Sequence, residues 1–203
     1  DPGPRGADQP READIVTIGA VIGGDHGVHP RARTRGPSRD GSGNGMGEAD
    51  YYLEQPCMTL AETARVRAAC RQPLILDESI GSLEDLIEAH AGGLLDGVTL
   101  KLARLGGLTK ARRLRDLAVA LGLRVTIEDT GGSDIDTAAT THLMLSTPEA
   151  ARFHTVDFMN WVTVRNAEGM PQTADGFISA PTAPGLGLRV RTETLGELVC
   201  EAG

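Results

Sequence analysis

Aromatic side chains are scarce in this chain: Trp161, two tyrosines and three phenylalanines among 203 residues. A core must therefore be built from Leu, Val, Ile and Ala. Positive charge is also short, with 20 Lys and Arg against 28 Asp and Glu and a formal net charge of −8. Phosphate backbones need a basic face, so nucleic acid is not an expected partner. Cysteine is limited to Cys57, Cys70 and Cys200, an odd number without metal-type spacing. That pattern points to a reducing, cytoplasmic compartment, with Cys70 expected in a helix core. No apolar run reaches the roughly 18 residues of a membrane span, and no signal peptide opens the chain. The length suits one domain, with room for an appended segment, that buries about 70% of its unfolded surface. A homo-oligomer is compatible with this composition, and nothing in it specifies one.

The sequence changes character near residue 48. Residues 1–48 are expected to form an irregular or disordered segment, because His29–Gly47 is rich in Gly, Pro, Arg and Ser and has no helical or strand period. One apolar patch before it, Ile15–Ile22, can make a single strand. Residues 49–203 carry the regular pattern. Strands are expected at YYLEQP (51–56), LILDES (74–79), GVTLKL (97–102), LRVTIED (123–129) and FHTVDF (153–158). Helices are expected between them: Thr59–Arg71 with Thr59 as N-cap, Ser82–Ala91 with Ser82 as N-cap, Gly107–Leu121, and Asp134–Ser146. Such alternation makes a parallel sheet with right-handed crossovers. The strand ends recur at intervals of 23, 24 and 27 residues, from Glu54 to Asp77 to Lys101 to Glu128. This steady pitch favours an α/β, TIM-like (β/α) barrel. An open flavodoxin-like sheet is the alternative that pattern alone leaves.

Each strand is apolar and then stops at an ionisable residue: Glu54, Asp77, Lys101, Glu128 with Asp129, and Asp157. A charge at a strand end is often only the first solvated residue. Several in register weaken that explanation, because parallel barrel strands converge at one mouth. Lys101 lies within the apolar stretch VTLKLARL, where an unpartnered ammonium is costly. Two carboxylates on adjacent strands make a hard-oxygen half-site suited to Mg²⁺. A lysine beside them can act as a general base if burial and a nearby cation lower its pKa. His142 falls mid-helix and is read as a packing residue.

The segments LEQP (53–56), LDES (76–79) and KLARLGGLTKA (101–111) resemble, in order and spacing, barrel strands four to six of the enolase superfamily, of the mandelate racemase and muconate lactonising type. The resemblance covers roughly Ala49 to Val199. EQPC (54–57), EDTGGSDI (128–135), HTVDFMNWVTV (154–164) and APTAPGLGLRV (180–190) resemble its cis-3-hydroxy-L-proline dehydratase and proline-betaine epimerase branch. The resemblance implies strands four to eight of the barrel and their helices. It implies Mg²⁺ held by Glu54 and Asp77, with Lys101 as acid/base catalyst. The implied chemistry removes the proton α to the carboxylate of a small substrate, giving an enediolate. Dehydration of a cyclic amino acid is the leading expectation, and racemisation or epimerisation the alternative. Glu128, Asp129 and Asp157 are expected near the substrate's ammonium, and Trp161 against its ring. The tail from Pro181 to Gly187 is expected to lie as a loop against the barrel.

The family's capping domain, its Lys-x-Lys pair on strand two and its metal ligand on strand three have no counterpart in the sequence, whose only lysines are Lys101 and Lys110. The expectation is therefore an incomplete barrel, and the alternative functional reading is an inactive, truncated fragment.

Overall fold

The structure is a computed structural model that describes residues 15–17, 28–30, 51–128, 133–155, 162–170, 173–174, 176–197 and 199. In chain order the strands are β1 (Ile15–Thr17), β2 (Val28–Pro30), β3 (Tyr51–Glu54), β4 (Leu74–Leu76), β5 (Gly97–Lys101), β6 (Arg124–Glu128), β7 (Arg152–Thr155), β8 (Ala167–Glu168), β9 (Phe177–Ser179) and β10 (Arg189–Val190). The helices are α1 (Leu60–Ala69), α2 (Leu83–Ala91), α3 (Leu102–Leu105), α4 (Leu108–Ala120) and α5 (Asp134–Leu145). Strands β3 to β7 pair in parallel in sequence order, with β2 antiparallel on the β3 edge. This is the expected α/β arrangement of consecutive barrel strands.

Local chemistry explains the elements. Thr59 caps α1 in a capping box, accepting from the Glu62 amide while the Glu62 carboxylate accepts from the Thr59 amide. Ser82 accepts from the Asp85 amide to start α2, and Ser133 from the Asp136 amide to start α5. The strands between are almost wholly buried, with Leu74, Leu76, Val98, Leu100, Val125 and Ile127 inaccessible to solvent. Helices cover them through Leu86, Leu114, Ala118, Leu143 and Met144. Gly97 permits the close approach of β4 and β6, because a Cβ there would sit 2.6 Å from Ile75 Cδ1 and 2.9 Å from the Arg124 carbonyl oxygen.

The sheet is strongly curled. The ring of Tyr52, on β3, lies 5.1 Å from that of Phe153, on β7, in an edge-on arrangement, and 6.1 Å from that of His154. The first and last parallel strands thus face each other across a narrow interior.

Several expectations need correction. His29 and Pro30 lie in β2, although their segment has no strand period. Pairing along the β3 edge uses backbone groups alone, and proline is tolerated on an edge strand. The expected Gly107–Leu121 helix is preceded by a one-turn helix, α3. The break between α3 and α4 falls at Gly106 and Gly107, whose φ values of 79° and 106° suit glycine. Cys70 is the half-buried C-cap of α1, and Thr63 is the residue that α1 buries. The single strand expected in Ile15–Ile22 is present as β1, paired with β9. Leu186 and Leu188 of the tail pack against the core, and the His142 ring bonds the Leu186 carbonyl at 3.2 Å.

Asp134, with no solvent exposure, ties the segment after β7 to the start of α5. It accepts from Arg165 Nε at 2.9 Å and from the amides of Asn166 and Ala167 at 2.9 and 3.1 Å. Asp134→Ala leaves these donors without an acceptor and should cost roughly 2–3 kcal/mol. Asp134→Asn, which keeps an acceptor, should cost less. Urea unfolding of both variants, with an unchanged slope, checks this.

Candidate active site

The charged residues that end the parallel strands gather at one mouth. Glu54 closes β3, Asp77 follows β4, Lys101 closes β5 and Glu128 closes β6. Lys101 and Glu128 are direct partners in the β5–β6 register, so their side chains emerge at the same height. One carboxylate oxygen from each of Glu54, Asp77 and Glu128 lies within 4.8 Å of the other two. Around an octahedral Mg²⁺ with bonds of about 2.0–2.1 Å, cis oxygens are about 2.9 Å apart and trans oxygens about 4.2 Å. The three oxygens would therefore have to close in on the ion to share it, and carboxylates are the donors it prefers.

Two cations lie among these acids. Lys101 Nζ is 2.7 Å from Asp77 Oδ2, 3.2 Å from Glu128 Oε1 and 3.6 Å from Glu78 Oε1. Arg104, on α3, pairs with the other oxygen of Asp77. Asp77 and Glu128 are 3% and 8% exposed, so little water screens these contacts. Beneath the acids lies a buried polar layer of Thr99, Thr126 and His154. Thr99 Oγ1 donates to Glu54 Oε1 at 2.9 Å, and Thr126 Oγ1 is 3.4 Å from His154 Nδ1. A further buried residue, Gln55, joins the end of β3 to the turn after β4.

The electrostatics follow from this crowding. Burial drives the Glu128 carboxyl up from 4.5 to about 7; Lys101 opposes the rise, and the charges of Glu54 and Asp77 add to it. Burial pulls Lys101 down, but its hydrogen bonds and charge contacts with Asp77 and Glu128 outweigh it and hold the ammonium above its ordinary range. Burial raises the Tyr52 phenol as well, with Glu54 and Glu128 adding to the effect. Without a bound cation, Lys101 is therefore an acid held by its counter-ions.

Of the residues singled out in the sequence, the structure brings Glu54, Asp77, Lys101 and Glu128 together. Glu128, expected near a substrate's ammonium, lies among the carboxylates and contacts the lysine. Asp129, Asp157 and Trp161 lie outside the described residues. Sequence reasoning did not single out Arg104, Thr99 or Gln55. Arg104 follows Lys101 by one helical turn and Gln55 sits inside the LEQP motif, but neither spacing announces the partner it reaches.

Residues 46–194 match the family described as enolase C-terminal domain-like. Over 150 residues the chain is 43% identical to a cis-3-hydroxy-L-proline dehydratase of Roseibium aggregatum, a match that covers 74% of this chain and 41% of that enzyme. Among solved structures, a member of the enolase superfamily from Roseovarius nubinhibens ISM complexed with magnesium superimposes with a TM-score of 0.71 at 37% identity, covering 75% of this chain and 42% of that one. A muconate cycloisomerase from Azorhizobium caulinodans gives a TM-score of 0.62 at 28% identity, covering 70% and 41%. The chain thus spans about two fifths of the length of these relatives. Matched over more than half its own length by the family's C-terminal domain, the chain belongs to the enolase superfamily.

Proposed function

We propose that this chain supplies the proton-abstracting half of a metal-dependent enzyme acting α to a carboxylate, with dehydration of a cyclic amino acid such as cis-3-hydroxy-L-proline as its reaction. The observation that carries the reading is the packing of Lys101 against Asp77 and Glu128 within a cluster of three carboxylates. The dehydratase relative supports the choice of substrate, and the magnesium complex of a structural neighbour supports the choice of metal.

Glu54, Asp77 and Glu128 would hold Mg²⁺, which when bound spreads the negative charge that develops on the substrate carboxylate. Lys101 takes the α-proton; the Cβ–O bond then breaks, and the hydroxyl departs as water with a proton returned to it. The acids that hold it protonated are the acids that would face the cation. Once Asp77 and Glu128 turn to that ion, Lys101 loses two counter-ions and its pKa falls toward the working range of a base. Asp129 and Asp157 are assigned to the substrate's ammonium, and Trp161 to its ring. Free thiols at Cys57 and Cys70 fit a reducing, cytoplasmic setting. No helix among the described residues is long and apolar enough to cross a membrane.

Dehydration is the reading that the dehydratase relative supports, and epimerisation is the alternative. In D₂O with Mg²⁺, cis-3-hydroxy-L-proline should lose its α-proton and water to give the cyclic imino acid, without appearance of the epimer. Lys101→Ala should lower that rate by about 10²–10⁴-fold. Proton NMR of the reaction mixture follows both. Turnover indifferent to Lys101→Ala removes the catalytic assignment, and no turnover in the unaltered chain leaves the inactive-fragment reading standing.

The carboxylate cluster also sets a pH dependence. Glu128 titrates near 7 in the folded metal-free chain and near 4.5 when unfolded. Between those values the folded state binds the extra proton, so stability should fall as pH rises from 4.5 toward 7. Glu128→Gln removes this loss. In EDTA the variant should gain on the unaltered chain in melting temperature at about pH 7.5 and not at about pH 5. Added Mg²⁺ at the higher pH should stabilise the unaltered chain more than the variant.

A further inference from the structure

We propose that Gln55 is a positioning residue that fixes the separation of Glu54 and Asp77, and through it the affinity of the mouth for a divalent cation. The inference rests on the metal-binding reading above.

Gln55 comes immediately after Glu54 and is only 3% exposed. Its backbone amide donates to the Ile75 carbonyl at 2.9 Å, carrying the β3–β4 ladder one step beyond the strand. Its φ of 39° makes it the one non-glycine residue with positive φ among the described residues. A side chain with a Cβ is strained there, and glycine or asparagine would be more comfortable. The strain is explained by where the side chain goes. Gln55 Oε1 accepts from the Asp77 amide at 2.7 Å, from Ser79 Oγ at 3.2 Å and from the Ser79 amide at 3.4 Å. Its Nε2 donates to the Cys57 carbonyl at 2.6 Å.

β4 ends at Leu76, so the Asp77 amide has left the strand when Gln55 receives it. Every polar group of one buried amide is thus used to clamp the turn carrying Asp77 to the turn carrying Glu54. Glu54 is fixed from its other side by Thr99. The two carboxylates approach each other against their own repulsion, and hydrogen bonds to a neutral side chain hold the backbone that carries them without neutralising the charge a cation needs. Asparagine keeps the amide and tolerates the backbone conformation but is one methylene short of Asp77. Glycine relieves the backbone and removes the clamp.

The test uses Mn²⁺ as a paramagnetic stand-in for Mg²⁺, binding to the full chain, Gln55→Gly and Gln55→Asn. Calorimetry gives the affinity, the electron paramagnetic resonance spectrum reports the symmetry of the bound ion, and thermal melts in EDTA report folding. We expect both variants to lose Mn²⁺ affinity by about tenfold or more, with a changed spectrum. Melting temperatures should shift little, because relief of backbone strain offsets the lost hydrogen bonds. A smaller loss in the folded variants overturns the inference, whatever happens to melting. Failure of the unaltered chain to bind Mn²⁺ overturns the metal reading and this inference with it, a result distinct from variants that match the unaltered chain.

Discussion

Like charges do not share a buried mouth without a counter-charge. Glu54, Asp77 and Glu128 are brought within a few ångströms by the register of β3, β4 and β6. Lys101, on the strand between β4 and β6, touches Asp77, which follows β4, and Glu128, which closes β6. Take away that ammonium and the parallel ladder would press carboxylates together in a poorly screened space. The lysine therefore offsets the charge that Asp77 and Glu128 bring into the mouth. Under the proposed function the same side chain would also serve as the base.

Much of this was legible in the sequence. Strand and helix alternate from Tyr51 onward, and their caps are local chemistry: Thr59 and Ser82 accept the hydrogen bonds their identities announce. Glu54, Asp77 and Lys101 could be singled out because a lone charge ending an apolar strand has few innocent explanations when it recurs at a steady interval. Parallel pairing does the rest, since all strand ends point the same way.

What stayed hidden depends on reach and direction. Arg104 lies on a single helical turn that the continuous apolar pattern conceals, and only coordinates show it reaching Asp77. Gln55 reads as a polar residue in a turn; its partners lie 22 and 24 residues away. Glu128 is followed directly by Asp129, and sequence alone could not say that Glu128 joins the acids. β2 escaped notice because edge pairing asks little of side chains.

The contact between Tyr52 and Phe153 joins residues about a hundred positions apart and brings the sheet's outermost parallel strands into touch. Contacts of such long range are won last, after the entropy of closing the intervening chain has been met. As the polypeptide leaves the ribosome, Glu54 and Asp77 emerge well before Lys101, and Glu128 later still. Until then two carboxylates stand beside one another without their ammonium, and hydrated, separated strands are the lower-energy arrangement. The mouth is consequently a late product of folding, and a half-made chain carries its acids as separate, hydrated charges.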